Sequence, residues 1–295
     1  MGSGSAEHRS ALRRVRNDGV RCRRFGAVAA ILLALASPAV AKPSAVSINL
    51  CTDQLLVRLA DAGQIRGLSP YARDPLRSDA AAEAARFPRL SGTAEEVLAI
   101  RPDLVLAGRF TKRATRELLR DKGLRVVEFD AVRSVDEARA QIRQAGRLLG
   151  QDDRAEQAVA RIDAAVARAR RAAAATNVSV LPIQRRGWVS GRDTLTTSLL
   201  DLVGLRNAGA ALSRGLGRMV DLETVVQLRP DLLLVSSEDG AAEDQGSALL
   251  KHPALDRLYP PALRIVLPEN FTAYCGGPSL ADAIDRLAAE VERLH

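Results

Sequence analysis

Short apolar runs alternate with amphipathic stretches along most of the chain. Val46-Ser47-Ile48-Asn49-Leu50 alternates as a strand does, and Thr52 to Ala62 then carries Leu55, Leu56, Leu59 and Ala60 at helical spacing. After Gly63, the pattern predicts a short strand over Ile65 to Leu68, a loop over Ser69 to Pro75 and an Ala-rich segment from Ser78 to Ala85. Thr93 and Glu96 have the spacing of a capping box, which opens a helix. That helix ends near Arg101, because Pro102 disfavours the α conformation in its predecessor. Leu104-Val105-Leu106-Ala107 is apolar throughout, as a strand covered on both faces must be. A helix from Arg113 to Asp121, then Gly123 and a strand from Leu124 to Phe129, complete the alternation.

The same grammar returns later. AEEVLAIRPDLVLAG (Ala94 to Gly108) and LETVVQLRPDLLLVS (Leu222 to Ser236) lie 128 positions apart and agree at seven of fifteen positions. Asp221 is the expected cap of the second helix, Pro230 its stop, and Leu232 to Val235 the following strand. Leu263 to Leu267 then echoes Leu124 to Val127. Alternating strands and helices predict parallel sheets with helices on their faces, and a duplicated set predicts two such lobes. Between them runs the longest helical pattern. Ser134 and Glu137 cap a helix reaching Leu149-Gly150. From Asp152, residues Ala155, Ala158, Val159, Ile162, Ala165, Val166 and Ala169 then share one face. At 1.5 Å per residue this is roughly 30 Å of helix, a stiff strut where a flexible linker would otherwise sit. The expected architecture is α/β: two Rossmann-like α/β lobes joined by a single long inter-lobe α-helix. Its parts are an N-terminal lobe at 42–150, a connecting helix at 151–175 and a C-terminal lobe at 176–295.

Residues 1–41 read as a secretory signal peptide. Arg21, Arg23 and Arg24 precede an apolar run from Phe25 to Ala36, too short to span a bilayer, and small residues flank a cut after Ala41. The export route stays open. The apolar run is not followed by a lipid-anchor cysteine, because Leu50 sits directly before Cys51. This segment also explains the basic pI near 10.1. Seven Arg and two acids of the chain's 43 basic and 35 acidic residues fall within it, leaving a net charge of about +3 on the rest. With only 3% aromatics to interleave the arginines, the composition argues against a nucleic-acid binder.

The layout resembles the periplasmic solute-binding proteins of ABC importers, in the class where one long helix joins two lobes. That class includes cobalamin, haem and ferric-siderophore binders. VSINLCTDQLLVRLADAGQIRGLSPYARDP, both Arg-Pro-Asp units, the inter-lobe helix and GWVSGRDTLTTSLLDLVGLRN (Gly187 to Asn207) carry the resemblance, which covers residues 42–295. Within the class the chain is most similar to cobalamin binders. The resemblance implies aromatic ligand contacts at Tyr71, Trp188 and Tyr274, a monomer in the periplasm, no resident cofactor and an inner-membrane permease dimer as partner. It also implies that Glu95 and Glu223, equivalent in the two units, pair with permease arginines. An acid in a first helical turn equally suits the helix dipole. Cys51 and the YCGGP stretch depart from the cobalamin binders' cleft, so ferric siderophore and haem stay open as ligands.

Tyr71, Trp188 and Tyr274 are also expected in loops at or beyond the carboxyl ends of strands, where α/β sheets bind ligands. Arg73, Arg109 and Arg192 sit in neighbouring loops, either solvated or pairing with carboxylates or amides of a ligand. For Cys51 and Cys275 three readings stand: a disulfide between the lobes, two thiols, or direct contact with a metal chelate. With only His252 and His295 beyond residue 41, a cluster of imidazoles for a free metal ion is not expected. An enzyme lacks its usual signs: there is no Gly-x-Ser-x-Gly elbow and no P-loop, and Gly215-Leu216-Gly217 lacks the last glycine of a dinucleotide fingerprint.

Overall fold

In the computed structural model, residues 41–173, 177–236, 248–268 and 275–293 are described. Residues 1–40 of the expected signal peptide and Tyr274 lie outside these residues. Every element below belongs to the unit Lys42–His295.

The first half gives β1 (Ala45–Ser47), α1 (Leu50–Leu59), β2 (Ile65–Gly67), α2 (Ala81–Ala84), α3 (Ala94–Ile100), β3 (Leu104–Gly108), α4 (Arg113–Asp121), β4 (Val126–Phe129) and α5 (Val135–Leu149). The described strands form a parallel sheet in the order β2-β1-β3-β4. Next come α6 (Asp152–Ala172), β5 (Ser179–Gln184), β6 (Trp188–Ser190), α7 (Leu195–Leu202), β7 (Arg206–Asn207), β8 (Gly217–Met219), α8 (Leu222–Leu228), β9 (Leu232–Ser236), α9 (Pro253–Leu258), β10 (Arg264–Leu267) and α10 (Leu280–Arg293). Here the order is β10-β9-β5-β6-β8, with β7 also on β5.

This second sheet departs from the expectation of purely parallel strands. β6 runs antiparallel to β5 and to β8. The reason is chain length: only Arg185–Gly187 separates β5 from β6, far short of the dozen or so residues a parallel crossover needs. The reversal uses left-handed backbone at Arg186 (φ 62°) and Gly187 (φ 72°).

The duplicated units have closely matched backbones. Each seven-residue helix ends in a left-handed arginine, Arg101 at φ 51° and Arg229 at φ 45°. The proline thus stops the helix as expected, but its predecessor escapes into the left-handed region, not the extended one. The aspartates explain the rest of the motif. Asp103 accepts hydrogen bonds from the Ser44 amide (2.8 Å) and Oγ (2.6 Å), and Asp231 accepts from the Ser179 amide and Oγ (both 2.7 Å). Each aspartate therefore pins the entry of the neighbouring central strand. The caps are less uniform. Asp221 and Ser134 accept from the Thr224 and Glu137 amides as expected, but Thr93 makes no side-chain cap. Glu96 instead accepts from the amide and hydroxyl of Ser91, both at 2.6 Å.

α6 spans 21 residues and buries all seven positions read from the pattern. It is not a bare strut. It packs along α5 and α10, and one apolar core runs from Leu104 and Leu106 through these helices to Val180, Leu232, Leu234 and Ile265. Ion pairs Arg143–Glu156, Arg139–Asp163 and Arg168–Asp285 tie the helices at their exposed edges, each worth little by itself.

Candidate functional site: a cavity between the two sheets

A cavity of about 370 Å³ opens where strands of both sheets end. From the first sheet it takes Asn49 and Cys51 after β1, Gly108, Arg109 and Phe110 at the end of β3, and Phe129 to Val132 at the end of β4. From the second it takes Gln184 at the end of β5, Trp188 on β6, Thr194 to Thr196 at the start of α7, and Leu216 before β8. The convergence follows from topology: the carboxyl ends of adjacent parallel strands leave a crevice that helices do not fill.

Local chemistry shapes each wall. Asn49 caps α1 by accepting from the amides of Cys51 (2.9 Å) and Thr52 (3.4 Å). Gly108 lets that cap approach, since a Cβ there would fall 2.5 Å from Asn49 Nδ2. On the far side, Gly217 carries the β8 backbone against Trp188; a Cβ would meet the indole at 3.1 Å and the Val189 carbonyl at 2.2 Å. Thr194 caps α7 and, with Thr197 and Asn207, closes a buried hydrogen-bonded knot on the Gly191 carbonyl. The wall is mainly aromatic and aliphatic. Its described charges, Arg109 and Asp130, face each other at 3.4 Å.

Further along α1 lies a buried acid. Asp53, on α1, accepts from the Ser69 amide (2.9 Å) and Oγ (2.5 Å). Burial pushes its carboxyl up to about 6, only partly opposed by those bonds. Among the described residues no group of His, Cys, Asp and Glu is arranged to hold a metal ion.

The expected site residues divide. Arg109 and Trp188 line the cavity, Trp188 from strand β6 and not from the loop expected for it. Tyr71, half exposed, lies in an adjoining groove of about 790 Å³ on the first lobe, together with Arg77, Glu95 and Phe110. The Arg77 guanidinium stands 5.7 Å from the Tyr71 ring centre. Arg73 donates to the Phe87 carbonyl and bounds neither space. Arg192 lines a polar groove beyond Thr194 with Arg133, Glu137 and Asp201. Glu95 and Glu223 are exposed in the first turns of α3 and α8. Cys51 and Cys275 are joined as a disulfide, with Cα atoms 4.8 Å apart.

Phe110, 72% exposed at the junction of cavity and groove, escaped the sequence reading, as did Phe129, Gln184 and Leu216. Phe110 was within reach: it is an aromatic just past a strand end in a chain with few. Leu216 had no such signal.

Two α/β sheets sharing one core, with an apolar cavity between their strand ends, define a two-lobed ligand-binding protein. The chain belongs to the family described as periplasmic binding protein, which matches residues 46–264 and consists of binding proteins, not enzymes. No curated protein matches the sequence. Solved structures share the fold. The periplasmic heme-binding protein RhuT from Roseiflexus sp. RS-1 in apo form has TM-score 0.67 and 22% identity, over 86% of this chain and 98% of that one. The periplasmic vitamin B12 binding protein BtuF of Vibrio cholerae has TM-score 0.65 and 16% identity, over 84% and 96%. A protein of an ABC-type Fe3+-hydroxamate transport system from Saccharomonospora viridis DSM 43017 has TM-score 0.67 and 22% identity, over 85% and 93%.

Proposed function

We propose that the chain, exported and cut after Ala41, captures a bulky metal chelate between its lobes and delivers it to an inner-membrane ABC permease. One observation carries this reading: the cavity joins the strand ends of both sheets and presents Trp188, Phe110, Phe129 and Leu216 to its occupant. Such a wall suits a large ligand with apolar faces. The described charges of the wall, Arg109 and Asp130, are opposite in sign and sum to zero, which suits a chelate with little net charge, a cobalamin or a ferric hydroxamate, better than a dianionic porphyrin. Haem is the second reading, supported by the likeness in fold to the periplasmic heme-binding protein from Roseiflexus. Among the described residues no helix is long and apolar enough to cross a membrane.

The test is a titration with cyanocobalamin, ferrichrome and haemin, read by the fluorescence of Trp188, the chain's one tryptophan. Cyanocobalamin or ferrichrome is expected to change it saturably; silence from all three would sink the reading. Glu95 and Glu223 are the docking acids in this scheme. Reversing both charges is expected to abolish uptake while leaving the Trp188 titration unchanged, and unimpaired uptake would remove them from that role.

A further inference from the structure

The bond between Cys51 and Cys275 spans a sequence separation of 224 residues. Its first partner lies in the opening turn of α1 and lines the cavity, beside the Asn49 that caps the same turn. Its second partner is 5% exposed and begins the segment leading into α10, which packs along α6. The next residue, Gly276, has φ 52° and presses on Val132, another lining residue: a Cβ there would come 2.7 Å from Val132 Cγ1. Two pieces of one cavity wall, Cys51 and Val132, are therefore backed by the segment that this bond fastens to them.

We propose that the Cys51–Cys275 disulfide is a positioning element of the ligand site, so that filling of the cavity and resistance of the bond to reduction are linked. The idea rests on the cavity being the ligand site, but not on which ligand it takes. An occupant covers Cys51 and favours the wall that the closed bond holds. By the reciprocity of linked equilibria, opening the bond must then weaken the occupant by the same factor. The opening step needs a dithiol. Dithiothreitol supplies two electrons and two protons, the sulfur–sulfur bond breaks, Cys51 and Cys275 become thiols, and dithiothreitol closes to its cyclic disulfide.

The test uses the full chain and the apolar dye 8-anilinonaphthalene-1-sulfonate, whose occupancy is read by energy transfer from Trp188. Dye affinity is expected to fall about tenfold on reduction and in the Cys51→Ser/Cys275→Ser variant, within the usual range of coupling between sites, with thermal melts confirming that both remain folded. Saturating dye is expected to lower about tenfold the ratio of reduced to oxidised protein at equilibrium with a dithiothreitol redox buffer, read by acid quenching and subsequent carbamidomethylation of the Cys51 and Cys275 peptides. This second measurement starts from the native state and does not depend on the variant folding. A lower melting temperature with unchanged dye affinity, or a reduced fraction that is the same with and without dye, overturns the proposal. Absence of energy transfer in the oxidised protein overturns the cavity reading and this proposal with it. If the dye behaves as expected while no chelate binds, the chelate reading fails and the linkage stands.

Discussion

Asp53 shows how one residue makes the stability of the fold sensitive to pH. Its carboxyl is 1% exposed and its affinity for a proton is raised from 3.8 to about 6, because burial penalises the charge more than Ser69 relieves it. A raised folded-state value means that the contribution to stability is whole below about 3.8 and is lost as the pH climbs through about 6. At ~1.4 kcal/mol per unit, about 3 kcal/mol is involved. Urea melts are expected to show wild type losing up to that amount against Asp53→Asn between about pH 4 and 7, and parallel curves would refute the assignment. Asp103 and Asp231 work in the opposite sense. Hydrogen bonds from Ser44 and Ser179 hold their carboxyls below the usual range, so their contribution is present above that range and fades in acid. Part of this was legible. The Arg-Pro-Asp repeat stood out as a repeat, but its serine partners lie 59 and 52 residues away, beyond any local pattern.

At the scale of elements, periodicity served well wherever a helix had one apolar face. α4 falls on Arg113–Asp121 as expected, and α6 buries every position the pattern named. Its Val159, Ile162 and Val166 contribute roughly 1.5–3 kcal/mol each as an upper estimate, and its alanines let neighbouring helices come close. A close approach is at Gly146 of α5, where a Cβ would lie 2.5 Å from the Ala155 Cβ. Two effects compete there: replacing glycine by alanine in a helix gains about 1 kcal/mol, whereas overpacking typically costs about 1–3 kcal/mol. Gly146→Ala is accordingly expected to lower the unfolding midpoint, and Gly146→Leu to lower it further. A gain for either would mean that α5 and α6 are less tightly joined than they look. The second sheet's antiparallel strands were missed because β6 and β8 are three residues each, too short for alternation to register.

For the whole molecule, the consequence of the shared core is restraint. Both sheets lean on one layer of α5, α6 and α10, so moving one lobe against the other would expose apolar surface common to both. Capture of a ligand is therefore expected to leave the radius of gyration in small-angle scattering unchanged within error. A marked contraction would point to a hinge instead. The same core makes plain what the long helix alone did not: stiffness comes from its packing on two neighbours, more than from its own length.

The alternation of helices and strands in the first half, the two-lobed plan and the long helix were determined by the sequence itself, because periodicity, caps and a repeated motif act over a few residues at a time. The composition of the cavity was decided only by the tertiary structure. Arg73 and Arg109 look alike in sequence, yet one braces the Phe87 carbonyl and the other reaches the cleft. Trp188 and Phe110 line the same space although they come from different sheets. Convergence of distant loops depends on how layers pack, and local pattern holds no record of that.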